Sequence, residues 1–250
     1  MQGATWCVAL KILHYKQLQS TNTTAYMLGE KGSPEWTVVV ADVQTKGKGR
    51  SGKRWESPKG GLWCSILLRP DISSARVPLL QFLAANGTRQ AIEDETDVHV
   101  RLKWPNDLAL ETGKLGGILV ESKTIRERLL FAVVGIGLNV SQRKAQLPFG
   151  ATSLLLSTGV HFDRRRLLKA IVDQMMSRYN DIDEPSSIIE EWWHNCIHRP
   201  PTVQVTFQDS TVTGITRGID ETGALTLETE DRRTRKVSEG TLRLVEESVP

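Results

Sequence analysis

Three long apolar runs constrain this chain more than anything else in it. They are "WTVVVADV" (36–43), "LWCSILLRP" (62–70) and "RLLFAVVGIGLNV" (128–140), rich in aliphatic and β-branched residues and nearly free of charge. Continuous runs of this kind read as buried strands. A chain with three of them must build its core on a sheet.

The segments between have other periods. "LQSTNTTAYMLGEKG" predicts a helix capped by Ser20 or Thr21 and ended by Gly29 or Gly32. "VPLLQFLAANGTRQAIEDE" places Leu79, Leu80, Leu83, Ala84 and Ala91 at helical spacing. "DRRRLLKAIVDQMMSRYNDI" predicts an amphipathic helix capped by Asp163, and "SSIIEEWWHNCI" a shorter one. "VHVRLKWPNDLALETGKLGGILVES" alternates strands with turns at Pro105-Asn106-Asp107 and Thr112-Gly113. At "HRPPTVQV" the pattern changes. Pro200-Pro201 blocks helix continuation. About five short strands follow, with turns at Gln208-Asp209, Glu221-Thr222-Gly223 and Glu239-Gly240. A boundary near Arg199 then separates residues 1–199 from a tail, 200–250, that reads as a small SH3-like barrel.

Hydrophobic residues make up 39% of the 250, enough for a proper core, and the net charge of +3 is too small to argue for a nucleic-acid partner. Cys7, Cys64 and Cys196 are odd in number and far apart, so neither a disulfide framework nor a metal site is expected. No signal peptide or membrane-spanning run is evident. The expectation is a reduced, soluble, cytoplasmic protein without a membrane partner.

One loop stands out. "QTKGKGRSGKRWESPKGG" (44–61) puts glycines and a cluster of lysines and arginines between two apolar strands. Glycines let backbone N–H groups converge on an oxyanion. Lys48, Arg50, Lys53 and Arg54 add charge and donors. The loop suits a phosphate, a carboxylate or both. It is neither GxxxxGK[ST] nor a dinucleotide fingerprint, since it precedes a strand and opens no helix. "KWPND" adds Lys103, Asn106 and Asp107 at a strand end, and "GKLGGILVES" adds Lys114 beside a glycine pair.

The order "STN", Q-x-x-G-[KR]-G-R-x-G-[KR]-x-W-x-S-P, "KWPND", "GKLGGILVE" and "VGIGLNV" strongly resembles biotin protein ligases, and "GITRGIDETGALTLE" looks like their small C-terminal domain. The resemblance runs from about Ser20 to near the end. It implies an α+β fold: a mixed-sheet catalytic domain akin to class II tRNA synthetases and lipoate ligases, plus an SH3-like β-barrel. Repressor-type members carry an N-terminal helix-turn-helix domain. Fewer than twenty residues precede "STN" here, so a monofunctional ligase with no nucleic-acid partner is expected. The loop carries Lys48, Ser51 and Lys53 where Arg is common, which keeps charge at two positions but loses the bidentate fork.

The resemblance implies an ATP-dependent ligase that makes biotinyl-AMP and passes biotin to a lysine of a biotin carboxyl carrier protein, with Mg²⁺ on the phosphates. It places Ser20, Thr21, Asn22 and Gln44 at the ureido end of biotin, although Ser20 also reads as a helix cap. Lys48, Gly49 and Arg50 wrap the carboxylate and α-phosphate, and Lys114 meets both. Asp107 and Asn106 organise the reaction centre, with Lys103 as electrostatic partner of Asp107. Trp55 lies against adenine, and Gly135, Gly137 and Asn139 form the nucleotide-binding strand end. Gly116 and Gly117 read as close packing. A homodimer is a habit of the family. The rivals are a lipoate or octanoyl ligase or transferase, for which Cys64 would be the nucleophile, and a non-catalytic biotin-responsive regulator.

Overall fold

A computed structural model describes residues 10–197, 202–207 and 210–245. In chain order its first part contains β1 (Lys11–Leu18), α1 (Thr21–Glu30), β2 (Thr37–Gln44), β3 (Leu62–Leu68), α2 (Val77–Thr96), β4 (Arg101–Lys103), β5 (Asp107–Leu110), β6 (Gly113–Ile125) and β7 (Arg128–Leu138). These strands form one seven-stranded sheet, ordered β1-β2-β3-β7-β6-β5-β4. Only β1 and β2 run parallel. The three apolar runs, β2, β3 and β7, lie side by side within it.

Strand alternation sends side chains to two different cores. On one face α1 lays Ala25 against Val39, Leu67, Phe131 and Val133. On the other, Val38, Ile66, Val134 and Ile136 join residues of α2 and of α4 (Arg164–Ser177) and α5 (Pro185–His194), which follow the short α3 (Leu154–Thr158). The caps are as expected: Ser20 accepts from Thr23 N, and Asp163 from Arg165 N. Gly29 does not end α1. It sits inside the helix because Phe131 packs against it; a Cβ there would be 2.7 Å from the ring. The chain turns out at Gly32, where φ is +80°.

Two elements lie outside the sequence expectations. β1 is an edge strand, largely exposed, held by its ladder to β2 rather than by burial, so it carries no long apolar run. α3 is too short for a period to show.

The tail forms a second, antiparallel sheet of β8 (Thr202–Phe207), β9 (Ser210–Ile219), β10 (Leu225–Glu228), β11 (Thr234–Val237) and β12 (Thr241–Leu244), ordered β11-β10-β9-β8-β12. The architecture is therefore α+β, with five short strands after the mixed sheet, as anticipated. Cys7, the Arg199 boundary with Pro200-Pro201, and the Gln208-Asp209 turn lie outside the described residues. The two sheets share one contiguous core: Val203, Val205, Leu225, Leu227 and Leu242 belong with Phe82, Trp104 and Trp192. Trp104 Nε1 donates to Gly223 O at 3.3 Å, and Phe82 packs on the same glycine.

Candidate active site

Register builds the site. Ser65 of β3, Gly135 of β7 and Leu119 of β6 stand in one row across the sheet. Gly137, Gly117, Asp107 and Lys103 form the next row across β7, β6, β5 and β4. Residues directly opposite share a face. The sheet therefore presents a floor of glycines with polar groups at either end, on the face that α1 covers only in part.

At the first end the start of α1 enters a dense polar cluster. Gln44 Oε1 accepts from Thr21 N (2.7 Å) and Thr21 Oγ1 (3.1 Å), while Gln44 Nε2 donates to Ser57 Oγ (2.8 Å). Ser65 Oγ lies 2.8 Å from Thr21 Oγ1 and 2.6 Å from Asn22 Oδ1, and can donate to either. Asn22 Nδ2 donates to Glu121 Oε2 (2.9 Å) and Leu119 O (3.3 Å). Gly135 is obligatory here, because a Cβ would stand 2.0 Å from Asn22 Oδ1.

At the other end Lys114 Nζ meets Asp107 Oδ1 at 2.6 Å and lies 5.0 Å from the centre of the Trp55 ring. This corrects one expectation: the cation paired with Asp107 is Lys114, not Lys103. Lys103 is the register partner of Asp107 and lines the same cleft, yet it forms no ion pair among the described residues. Trp55 rests on Gly137 and Gly117, and its buried Nε1 has no hydrogen-bond partner among the described residues. Asn106 Nδ2 donates to Ile118 O (2.8 Å), and buried Asn139 donates to Thr152 O (2.9 Å). Both side-chain amides thus brace neighbouring backbone.

The basic loop closes back on itself above this floor. Gln44 bridges Ser57 and Lys48 bridges Arg54. Gly49 N donates to Lys53 O at 2.7 Å, and Ser51 and Gly52 take positive φ to make the bend. Lys48 Nζ pairs with Glu121 Oε1 at 2.9 Å. Burial pulls the Arg50 guanidinium below its usual range, against the opposing pull of Glu239 and Asp107. Arg50, Asp107 and Glu239 all line the same cleft.

The whole encloses a cleft of about 880 Å³. Every residue predicted for the site lines it: Ser20, Thr21, Asn22 and Gln44; Lys48, Gly49, Arg50 and Trp55; Lys103, Asn106, Asp107 and Lys114; Gly135, Gly137 and Asn139. Sequence reasoning missed Ser65 and Glu121, and it missed the rim supplied by Glu239–Leu242 of the second sheet. A signal existed for the first two. Ser65 is the lone polar residue in an apolar strand, and Glu121 follows Gly117 and Leu119 at strand period on one face. Cys64 also lines the cleft, but burial pushes its thiol up to about 12, so it carries no thiolate at neutral pH.

Fold and cleft together define a protein ligase in two parts, a mixed catalytic sheet and a small C-terminal sheet. More narrowly, the chain belongs to the Biotin/lipoate A/B protein ligase family, whose model matches residues 14–139, while the biotin protein ligase C-terminal domain matches residues 202–242. The bifunctional ligase/repressor BirA of Bacillus subtilis is 34% identical over 227 residues, covering 88% of this chain and 70% of that protein. The biotin–[acetyl-CoA-carboxylase] ligase of Paracoccus denitrificans is 37% identical over 126 residues, covering 49% and 51%. The biotin protein ligase of Aquifex aeolicus, solved in complex with biotin and ATP, superposes with a TM-score of 0.77 at 29% identity, over 94% of this chain and 99% of that one.

Proposed function

We propose that this protein is an ATP-dependent biotin protein ligase acting on a lysine of a biotin carboxyl carrier protein. The observation that carries this reading is the single cleft with two chemically different ends. A hydrogen-bonding cluster of hydroxyls and amides suits a ureido group, and a cation-rich end suits a carboxylate meeting a phosphate.

In the first step a biotin carboxylate oxygen attacks the α-phosphorus of ATP and pyrophosphate leaves. Two anions must approach, so the site has to cancel charge beforehand. Lys114 and Arg50 supply fixed positive charge at that end, and Lys48 and the Gly49 backbone complete the cradle. Mg²⁺ would neutralise the phosphates. Among the described residues no group of three or more metal-ligating side chains forms. Such an ion would be held chiefly by the phosphates. In the second step the acceptor amine attacks the anhydride carbonyl and AMP leaves. Asp107, held by Lys114, orients that amine and takes up its proton, since a free amine with a pKa near 10.4 arrives mostly protonated.

Gly135 packs on Asn22, so we assign it to the biotin end, while Gly137 stays beneath Trp55. The indole is the platform for the adenine or for the apolar chain beside it. The octanoyltransferase reading is disfavoured by the neutral, buried Cys64.

The test is intact-mass measurement of a purified carrier domain incubated with the protein, ATP and biotin. A single biotinyl addition on one lysine is expected. No addition, or addition of lipoate in preference, would overturn the proposal. Sedimentation with and without biotin and ATP examines the homodimer that the family resemblance implies.

A further inference from the structure

One carboxylate touches both halves of the site without belonging to either. Glu121 accepts from Asn22 through Oε2 and pairs with Lys48 through Oε1, each at 2.9 Å. We propose that Glu121 is a positioning residue that fixes the Asn22 amide and tethers the basic loop above it. The proposal deepens the biotin-ligase reading and rests on it for the ligand.

The Asn22 half follows from donor and acceptor counting. Asn22 is buried. Its NH₂ group has two donors, and both are taken, by Glu121 and by Leu119 O. Its oxygen has two acceptor sites and receives one bond, from Ser65. A flipped amide would set its oxygen against the Glu121 carboxylate. Glu121 therefore holds the amide so that it offers the cleft an acceptor and never a donor. A ligand read there must present an N–H, which a ureido group has and a dithiolane lacks.

The Lys48 half follows from what holds the loop. Among the described residues, Lys48–Glu121 is the one ion pair between the loop and the sheet; the loop's other pair, Arg54–Glu56, is internal. A second hollow of about 830 Å³ opens under the loop, lined by Leu119, Glu121 and Glu239, so apolar packing contributes little there. Glu121 supplies Lys48 with an anion from the sheet at 2.9 Å. A ligand carboxylate or phosphate then competes for Lys48, and Glu121 keeps Asn22 as it lets the lysine go.

Trypsin reads the tether on the ligand-free protein, because Arg50, Lys53 and Arg54 are cleavage sites within the loop. A half-exposed ion pair shifts an opening equilibrium by roughly two- to five-fold. Glu121→Gln should raise cleavage at those three sites by that factor, and Lys48→Gln should match it. The double variant should go no further, and Lys48→Arg should restore protection. Unchanged cleavage in Glu121→Gln, or additive effects in the double variant, would overturn the tether. Calorimetric titration with biotin reads the amide. Glu121→Gln, which can still accept from Asn22, should keep affinity within about threefold, whereas Glu121→Ala should lose tenfold or more. Equal affinities for these two variants would overturn the amide role. If the wild type itself binds no biotin, the functional reading fails, while the trypsin result still decides the tether.

Discussion

Lys114 and Gly135 show how single atoms set the chemistry. Lys114 Nζ is 2.6 Å from Asp107, so Lys114→Ala removes a cation from the meeting point of two anions and leaves a carboxylate unpaired. One preorganised electrostatic donor is worth about 2.7–4 kcal/mol, so adenylate formation, followed as pyrophosphate release, should fall by about 10²–10³. Near wild-type release would remove Lys114 from the first step. Gly135→Ala must displace Asn22, because the new Cβ would stand 2.0 Å from its oxygen. Biotin affinity should drop by about tenfold or more while ATP affinity changes little; the reverse pattern would return Gly135 to the nucleotide. Cys64 is a pH marker. Its ordinary value of 9.0 is raised to about 12 by burial, so the folded state keeps a proton that the unfolded state releases. The resulting stability is whole below pH 9 and is lost as pH rises from about 9 towards about 12. Melting curves of Cys64→Ala should fall less steeply over that range than those of wild type, and identical slopes would mean the thiol ionises in place.

The basic loop acts as one element. Its internal bonds fold it into a bent hairpin, and Arg50 lines the cleft together with Asp107 and Glu239. A reactive acyl adenylate has to be shielded until the acceptor lysine arrives. Arg50→Gly should still make the adenylate, since Lys114 remains, but should hold it poorly. A charged hydrogen bond is worth about 1.5–3 kcal/mol, which is roughly ten- to over a hundredfold in residence time. Biotin incorporation into serum albumin as a bystander measures the leak. Equal bystander labelling at normal adenylate yield would place the latch elsewhere in the loop.

The second sheet is joined to the first by core rather than by a loose linker. Phe82, Trp104 and Trp192 share a core with Val203, Leu225 and Leu242, and Glu239–Leu242 rim the cleft. Large aromatic side chains bury roughly 150–250 Å² each, so uncovering even part of two rings costs several kcal/mol at about 25 cal/mol per Å². A chain ending at residue 199 should therefore melt well below the full chain and lose activity with it. A truncation with the wild-type melting temperature would show that the tail only touches the core.

The sequence alone determined the elements whose signal is local: the β-branched runs of β2, β3 and β7, the caps at Ser20 and Asp163, and the tail's change of period at the double proline. The resemblance of its motifs to those of biotin protein ligases also named most of the residues that the cleft gathers. Pairing itself needs partners far apart in the chain, and only the tertiary structure decided it. Strand register set Asp107 beside Gly117 and gave it Lys114 rather than its neighbour Lys103. The packing of α1 over β7 turned Gly29 into a contact instead of a helix end. Glu121 shows the divide most plainly: in sequence it only shares strand period with Gly117 and Leu119, and it acquires two contacts only where β6 meets both α1 and the loop.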